Sequence, residues 1–215
     1  MPISVTPPPA MAAPVPGQTF EVRTRLTSRG GVTITPTEIA PDIPLLQGSV
    51  AAITSQYQAL QLPSQIKLKV ARLDPAEEIA LIYALIALNP RLRMRLDANQ
   101  GWNKEQAMAF ARQLSGHHVE YIEEPCANLT DSLTMARTYQ LPIALDEHLQ
   151  QSDWPLDQFN DPIIHAFVIK PMLIGSCQRI AQLLALAQQQ QKRAIISCAF
   201  ESPYGLGVLA HLAKQ

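Results

Sequence analysis

The chain has few charged residues, and their charges nearly cancel. Its 215 residues include 18 acidic and 17 basic side chains, so the net charge is -1. A near-neutral chain gives no reason to expect nucleic acid or an anionic membrane as a partner. Neither is therefore expected as a partner, and the sequence does not define an oligomeric state.

Cysteine is also scarce. The three cysteines, Cys126, Cys177 and Cys198, are odd in number and widely spaced. Such a set forms neither a disulfide framework nor a zinc knuckle, so we expect reduced thiols in a cytoplasmic protein. No apolar run reaches the ~18 residues of a membrane helix. The N-terminus lacks a basic region and an unbroken apolar core, so it is not interpreted as a signal peptide.

Proline is abundant only at the N-terminal end, where nine of the 18 prolines lie in residues 1–44. Residues 1–18 are therefore expected to be disordered or extended. The stretch after them alternates apolar and polar residues around Gly30-Gly31, which predicts a small β-hairpin. We predict a Pro-rich segment over 1–40, a remnant of a capping region, and a catalytic domain over 41–215.

Beyond this segment, short apolar strands alternate with helical stretches. Strands are predicted at 66–70, 93–98, 119–124, 142–147, 166–170 and 194–199. Helices are predicted at 49–62, from Pro75 to Leu88, from Lys104 to Leu114, from Asp131 to Tyr139, and at 176–190. This alternation is typical of parallel strands with right-handed crossovers. Since no glycine-rich phosphate loop follows any strand, a nucleotide-binding sheet is disfavoured and a (β/α) barrel is favoured.

Charged residues recur at the ends of five successive strands, about 25 residues apart. They are Lys69, Asp97, Glu123, Asp146 and Lys170. The carboxyl ends of barrel strands meet at the active-site face, so these side chains are expected to share one site. Three carboxylates there suit a hard cation, with Mg²⁺ preferred and Mn²⁺ possible.

A salt-bridge network is the structural alternative for the same five residues. For Lys67, on the same strand face as Lys69, the structural alternative pairs it with Glu124 or Glu147. Four further residues are interpreted as structural. Arg93 and Arg95 lie deep or on the rim, Trp102 packs, and Tyr121 fills the barrel interior.

Five longer motifs surround these residues, namely LRMRLDANQGW, YIEEPCAN, IALDEHL, VIKPMLIGS and ISCAFESPYGLG. They resemble the enolase superfamily, in its muconate-lactonising subgroup, and within it the o-succinylbenzoate synthase family. The resemblance extends over roughly residues 40–212. The Glu-Glu-Pro-Cys stretch and the Ile-Lys-Pro-x-Leu-x-Gly-Ser pattern are its most specific parts. The fold implied is a TIM-like (β/α) barrel.

The resemblance implies a role for each matching residue. Mg²⁺ would be bound by Asp97, Glu123 and Asp146. Lys69 would act as base and returning acid, and Lys170 would stabilise the anionic intermediate. Lys67 would assist electrostatically, while Ser197 and Asn99 would contact the substrate. The reaction implied is dehydration of 2-succinyl-6-hydroxy-2,4-cyclohexadiene-1-carboxylate to 2-succinylbenzoate, in menaquinone synthesis.

The sequence also departs from this family. About seven barrel strands are predicted rather than eight, and the capping domain is expected to be largely missing. His148 replaces a residue that is small in the family. The alternatives are therefore a dipeptide epimerase, an N-acylamino acid racemase or a cycloisomerase of the same subgroup, or a truncated, inactive paralogue without catalysis.

Overall fold

One sheet of nine strands organises the described part of the chain. The structure, a computed structural model, describes residues 19–25, 35–39, 43–151, 154–199 and 201–212. The strands are β1 (Thr19–Arg25), β2 (Thr35–Ile39), β3 (Leu45–Leu46), β4 (Gln65–Lys69), β5 (Arg93–Asp97), β6 (Val119–Glu123), β7 (Ile143–Leu145), β8 (Ile164–Ile169) and β9 (Arg193–Ser197). The sheet order is β2-β1-β9-β8-β7-β6-β5-β4-β3. Strands β3 to β9 are parallel and adjacent in chain order, which confirms seven barrel strands arranged as a half-barrel.

The two N-terminal strands pair with each other, as the alternating pattern predicted. They are antiparallel, with Val22 opposite Ile39, and their connecting turn at Gly30-Gly31 lies outside the described residues. The sequence did not predict that β1 also pairs antiparallel with β9, where Thr19 lies opposite Ser197. The prediction for residues 1–18 likewise lies outside the described residues.

Seven α-helices in the described ranges connect or follow the parallel strands. They are α1 (Val50–Ala59), α2 (Pro75–Leu88), α3 (Lys104–Ala111), α4 (Leu129–Tyr139), α5 (Pro171–Ile174), α6 (Cys177–Gln189) and α7 (Pro203–Leu212). Two short 3₁₀ helices, Glu147–Gln150 and Leu156–Phe159, lie between β7 and β8. Within the described ranges, no helix is both long and apolar enough to span a bilayer.

Capping side chains explain most helix starts. Asp74 accepts a hydrogen bond from the Ala76 N–H at 2.9 Å, so α2 begins as predicted. The predicted start of α4 at Asp131 is wrong, because Asn128 caps the helix by accepting the Thr130 N–H at 2.8 Å. Asp131 lies inside the first turn, where its negative charge favours the helix dipole.

The two faces of the parallel sheet pack differently. Alternate strand residues such as Ile66, Leu96 and Ile122 are fully buried in the large core that includes the helices. The opposite face forms a small apolar cluster of Tyr121, Ala144, Ala166, Val168 and Ile195. The predicted strand phase is therefore confirmed for Tyr121, Ala144 and Val168, whose face leads to the charged strand ends.

Candidate active site

Strand register brings the charged residues to one level of the sheet. Lys69 at the end of β4 lies opposite Asp97 of β5, and Asp97 lies opposite Glu123 of β6. Asp146 and Lys170 each follow the last residue of their strand by one position. All five side chains that the strand-end spacing singled out therefore lie along the carboxyl edge of five consecutive strands.

Lys67 lies at the centre of this cluster. Its Nζ is 2.9 and 2.8 Å from the two carboxylate oxygens of Glu123 and 2.8 Å from Asp97 Oδ2. The pairing with Glu124 or Glu147 that the sequence left open is wrong. Lys67 lies one inward-facing position below Glu123, in register with Arg95, and its long side chain reaches up to the Glu123 carboxylate. Glu124 comes one residue later and accepts other hydrogen bonds.

Lys69 and Lys170 flank the cluster on opposite sides. The Lys69 Nζ lies 2.7 Å from Asp97 Oδ2 and 2.5 Å from Asn99 Oδ1. The Lys170 Nζ donates to Asp146 Oδ2, while Gln150 Nε2 donates to the other carboxylate oxygen of Asp146 at 3.0 Å. Four of the ionic groups, Lys67, Lys69, Asp97 and Glu123, thus form a salt-bridge network, and Lys170 and Asp146 form a separate ion pair beside it, in agreement with the structural alternative.

Burial makes this network electrostatically unusual. Asp97, Glu123 and Asp146 are each at most 1% exposed. Burial, together with the negative charges of Asp97 and Asp146, raises the pKa of Glu123 to about 7 against the opposing effect of Lys67. Burial also raises the pKa of Asp146 despite its contact with Lys170. By contrast, the two adjacent lysines outweigh burial and lower the pKa of Asp97.

These features test whether the acidic residues fit a metal ion. In the described part of the chain, no three acidic, His or Cys side chains converge closely enough to hold a metal as they stand. Lysine ammonium groups lie between the carboxylates instead. However, Asp97 Oδ1 is buried and accepts no hydrogen bond from the described residues. The three carboxylates thus provide oxygen ligands, one of which is a buried oxygen without a hydrogen bond from the described residues. Two of the carboxylates also have raised pKa values, so a nearby positive charge would stabilise their ionised forms. These properties fit a hard divalent cation.

Ser197 and the floor of the half-barrel complete the inner face. Ser197 ends β9 and is 4% exposed. Below the charged level, Arg95 Nε donates to Glu120 Oε2 at 2.8 Å, Arg193 donates to Glu120 Oε1, and the Arg95 guanidinium lies 5.3 Å from the Tyr121 ring centre. These contacts agree with a structural role for Arg95. Trp102 packs on Phe110 with ring centres 4.5 Å apart, as expected.

The sequence missed a buried network behind the site. Glu124 accepts the backbone N–H groups of Asp146 at 2.6 Å and His148 at 3.0 Å. Its other oxygen contacts the His148 ring at 2.5 Å and Gln100 Nε2 at 2.9 Å. The Glu123-Glu124 pair in the sequence could have revealed this network. Consecutive glutamates at the end of a predicted strand should point to opposite faces of the sheet. If Glu123 points to the inner face, Glu124 points to the other face and needs buried hydrogen-bond partners there.

Backbone strain also concentrates at this edge. Ala71, Asn99, Gln100 and Glu124 all have positive φ angles of 45 to 60°, and each follows a strand by one to three residues. Non-glycine residues adopt this conformation at a cost that the surrounding structure must offset, and such residues cluster at functional sites. The strained turns therefore lie where the charged side chains lie.

The fold and the charged strand ends together define an α/β half-barrel with a lysine and carboxylate site at its carboxyl edge. A family model described as "Enolase C-terminal domain-like" matches residues 50–214. The chain therefore belongs to the enolase C-terminal domain-like family.

Individual relatives agree with this assignment. The chain is 34% identical over 173 residues to the o-succinylbenzoate synthase of Yersinia enterocolitica, covering 79% of this chain and 53% of that protein. The solved structure of MenC from Desulfotalea psychrophila has a TM-score of 0.69 and 26% identity, covering 80% of this chain and 50% of that one. The L-Ala-D/L-Glu epimerase of Bacillus subtilis, at 22% identity, shares the fold with a TM-score of 0.70, covering 80% of this chain and 51% of that one.

The resemblance to the o-succinylbenzoate synthase family within the enolase superfamily is thereby confirmed. The chain spans about half the length of the curated relatives it matches.

Proposed function

We propose that the chain carries the catalytic half of an o-succinylbenzoate synthase, a Mg²⁺-dependent carbon-oxygen lyase of menaquinone biosynthesis. Mn²⁺ is a possible substitute for Mg²⁺, and we propose a cytoplasmic location. One observation supports the proposal most strongly, namely that Lys69 and Lys170 flank three buried carboxylates at one edge of the sheet. The substrate would be 2-succinyl-6-hydroxy-2,4-cyclohexadiene-1-carboxylate.

Asp97, Glu123 and Asp146 would hold the cation, which when bound supplies Lewis-acid stabilisation of the substrate carboxylate. The hydrogen on the carbon next to a carboxylate is very weakly acidic. Its removal therefore requires that the new negative charge be stabilised as it forms.

Lys69 would remove this proton, and the electrons of the broken C–H bond would form an enediolate. The C–O bond of the ring hydroxyl then breaks as the ring becomes aromatic, and the leaving hydroxide takes the proton from the Lys69 ammonium. The products are 2-succinylbenzoate and water, and Lys69 returns to its starting form. Asn99, which accepts from Lys69 Nζ at 2.5 Å, would orient the amine.

Two other lysines are suited to remain charged. Burial alone would lower the pKa of Lys67, but the attraction of Glu123 and Asp97 outweighs it and raises the pKa. Burial also acts to lower the pKa of Lys170, while Asp146 raises it above its ordinary value. Lys170 would stabilise the enediolate as a cation, Lys67 would assist electrostatically, and Ser197 would line the substrate pocket.

The decisive experiment is an assay of Mg²⁺-dependent 2-succinylbenzoate formation by the purified 215-residue chain. Lys69→Ala is expected to abolish turnover while Mg²⁺ affinity, measured by calorimetry, stays nearly intact. Lys104→Ala is a matched control, since Lys104 is exposed on α3. Retention of about a tenth of the wild-type rate by Lys69→Ala would overturn the assignment of Lys69 as base.

Epimerisation is the second candidate function, because lysines on both flanks could exchange a proton on opposite faces of one carbon. Incubating the chain with an L-Ala-L-Glu dipeptide in deuterated water tests it. Deuterium at the α-carbon would favour epimerisation, whereas 2-succinylbenzoate formation without such exchange favours the lyase. Failure of both assays would favour an inactive paralogue.

A further inference from the structure

Arg72 lies in a loop just beyond Lys69, and neither strand phase nor family motif assigns it a role. Its side chain is exposed, and it forms no ion pair with a carboxylate in the described part of the chain. The Arg72 guanidinium lies 3.4 Å from Asn99 Oδ1, the same atom that accepts from Lys69 Nζ at 2.5 Å. Two cationic groups are therefore held against one amide oxygen.

The loop carrying Arg72 is rigidly built. Glu78, which is 3% exposed, accepts the backbone N–H groups of Ala71, Arg72 and Leu73 at 3.1, 2.8 and 3.1 Å. Ala71 has a φ of 59°, a strained value for alanine. These contacts hold the loop backbone in place before a ligand arrives, so less backbone entropy is lost on binding.

The loop after β5, which carries Asn99 and Gly101, packs closely against the loop that carries Arg72. A Cβ added at Gly101 would lie 2.7 Å from the Ala71 Cβ, so only glycine allows the two loops to approach this closely. Gly101 follows Asn99 by two residues, so this contact fixes the Asn99 turn against the Arg72 loop.

Arg72 and Lys69 also line a common cavity of about 490 Å³. Its other polar contributors include Gln47, while Ile53, Leu68 and Leu81 provide apolar wall. Glu78 faces the cavity as well, but its carboxylate already accepts three backbone N–H groups. A cavity with apolar walls and the Arg72 guanidinium suits a hydrocarbon framework that carries negative charge.

From this arrangement we infer that Arg72 binds a second carboxylate of the substrate, remote from the one at the acidic cluster, and so selects dicarboxylates. Guanidinium groups bind carboxylates through two parallel hydrogen bonds. The inference rests on the proposed function, whose substrate carries a ring carboxylate and a succinyl carboxylate.

Binding measurements test Arg72 separately from turnover. The probes are 2-succinylbenzoate, with two carboxylates, and 2-acetylbenzoate, with one, titrated into the full chain with MgCl₂ by calorimetry. Arg72→Gln is expected to weaken 2-succinylbenzoate binding about 10- to 100-fold and to leave 2-acetylbenzoate binding unchanged. Arg72→Lys should restore part of the loss. Arg112→Gln, at an exposed position after α3, should change neither affinity.

Several results would overturn the inference. For Arg72→Gln, these results are an equal loss of affinity for both probes or no loss for either. For the wild type, they are equal affinity for the two probes or no binding of either. In steady-state turnover, Arg72→Gln should raise KM far more than it lowers kcat. If the wild type turns over and Arg72→Gln behaves like it, the role of Arg72 is rejected and the proposed function stands. If dicarboxylate binding depends on Arg72 but no turnover occurs, the proposed function is rejected and the binding role of Arg72 stands.

Discussion

The Glu124 carboxylate lies 2.5 Å from the His148 ring, and both side chains are completely buried. The same carboxylate accepts the backbone N–H of Asp146 at 2.6 Å. Glu124 therefore fixes the turn that carries one of the three clustered acids, although it faces away from the cluster.

Replacing Glu124 tests this positioning. Glu124→Gln removes an ionic acceptor from several buried donors, so we expect the free energy of unfolding to fall by roughly 2–4 kcal/mol. Urea unfolding monitored by circular dichroism measures the loss. Glu105→Gln, at an exposed position in the first turn of α3, should change stability by less than about 0.5 kcal/mol. Equal stabilities of the two variants would contradict the assigned role.

Lys67 provides a second prediction, because it neutralises two buried carboxylates. Lys67→Met should lower the free energy of unfolding by about 3–5 kcal/mol without metal, since Glu123 and Asp97 lose a shared cation. If the acids form a metal site, added MgCl₂ should stabilise Lys67→Met more than the wild type. Thermal unfolding with and without MgCl₂ measures both effects, and an equal response to MgCl₂ would argue against a metal at these acids.

Glu78 supports the loop after β4 and yields a third prediction. Glu78→Ala leaves three backbone N–H groups without their acceptor, so we expect a loss of roughly 2–3 kcal/mol in the free energy of unfolding. Glu77→Gln is a matched control, because Glu77 is exposed on the same helical turn. Hydrogen exchange should also accelerate at residues 71–73 in Glu78→Ala alone. Unchanged exchange there would show that Glu78 does not hold the loop.

The cysteines give a fourth prediction, on chemical reactivity. Burial raises the pKa of the Cys126 thiol to about 11, whereas Cys177 is exposed at the start of α6. Since the thiolate is the reactive form, Cys126 should resist alkylation at neutral pH while Cys177 reacts. Iodoacetamide labelling followed by peptide mass spectrometry measures this, with labelling in urea as the control. Equal native rates for Cys126 and Cys177 would contradict the burial of Cys126.

Sequence reasoning predicted the parts of this molecule that follow from repetition. Alternation along β4 and β5 placed Lys67, Lys69 and Asp97 on one face, and the structure brings them together. Regular spacing of strands and helices predicted seven parallel strands in chain order. Both features depend on local periodicity, which the sequence records directly.

Features that depend on contacts between distant segments were missed. The partners of Lys67 follow from the register between β4, β5 and β6, and alternation fixes the face of a residue but not its cross-strand neighbour. Arg72 lies in a loop, where strand phase no longer indicates direction. The pairing of β1 with β9 joins segments more than 150 residues apart, and no local pattern predicts it.

The ionic cluster at the carboxyl edge has a consequence for how this protein tolerates change. Its three lysines and three carboxylates are equal in number. Their contacts join β4 to β5 and to β6 and, separately, the residues that follow β7 and β8. The side chains proposed to act in catalysis thus also neutralise one another's charge in the folded protein. Selection for activity and selection for foldability therefore act on the same six side chains, so these positions should accept substitutions only in compensating pairs.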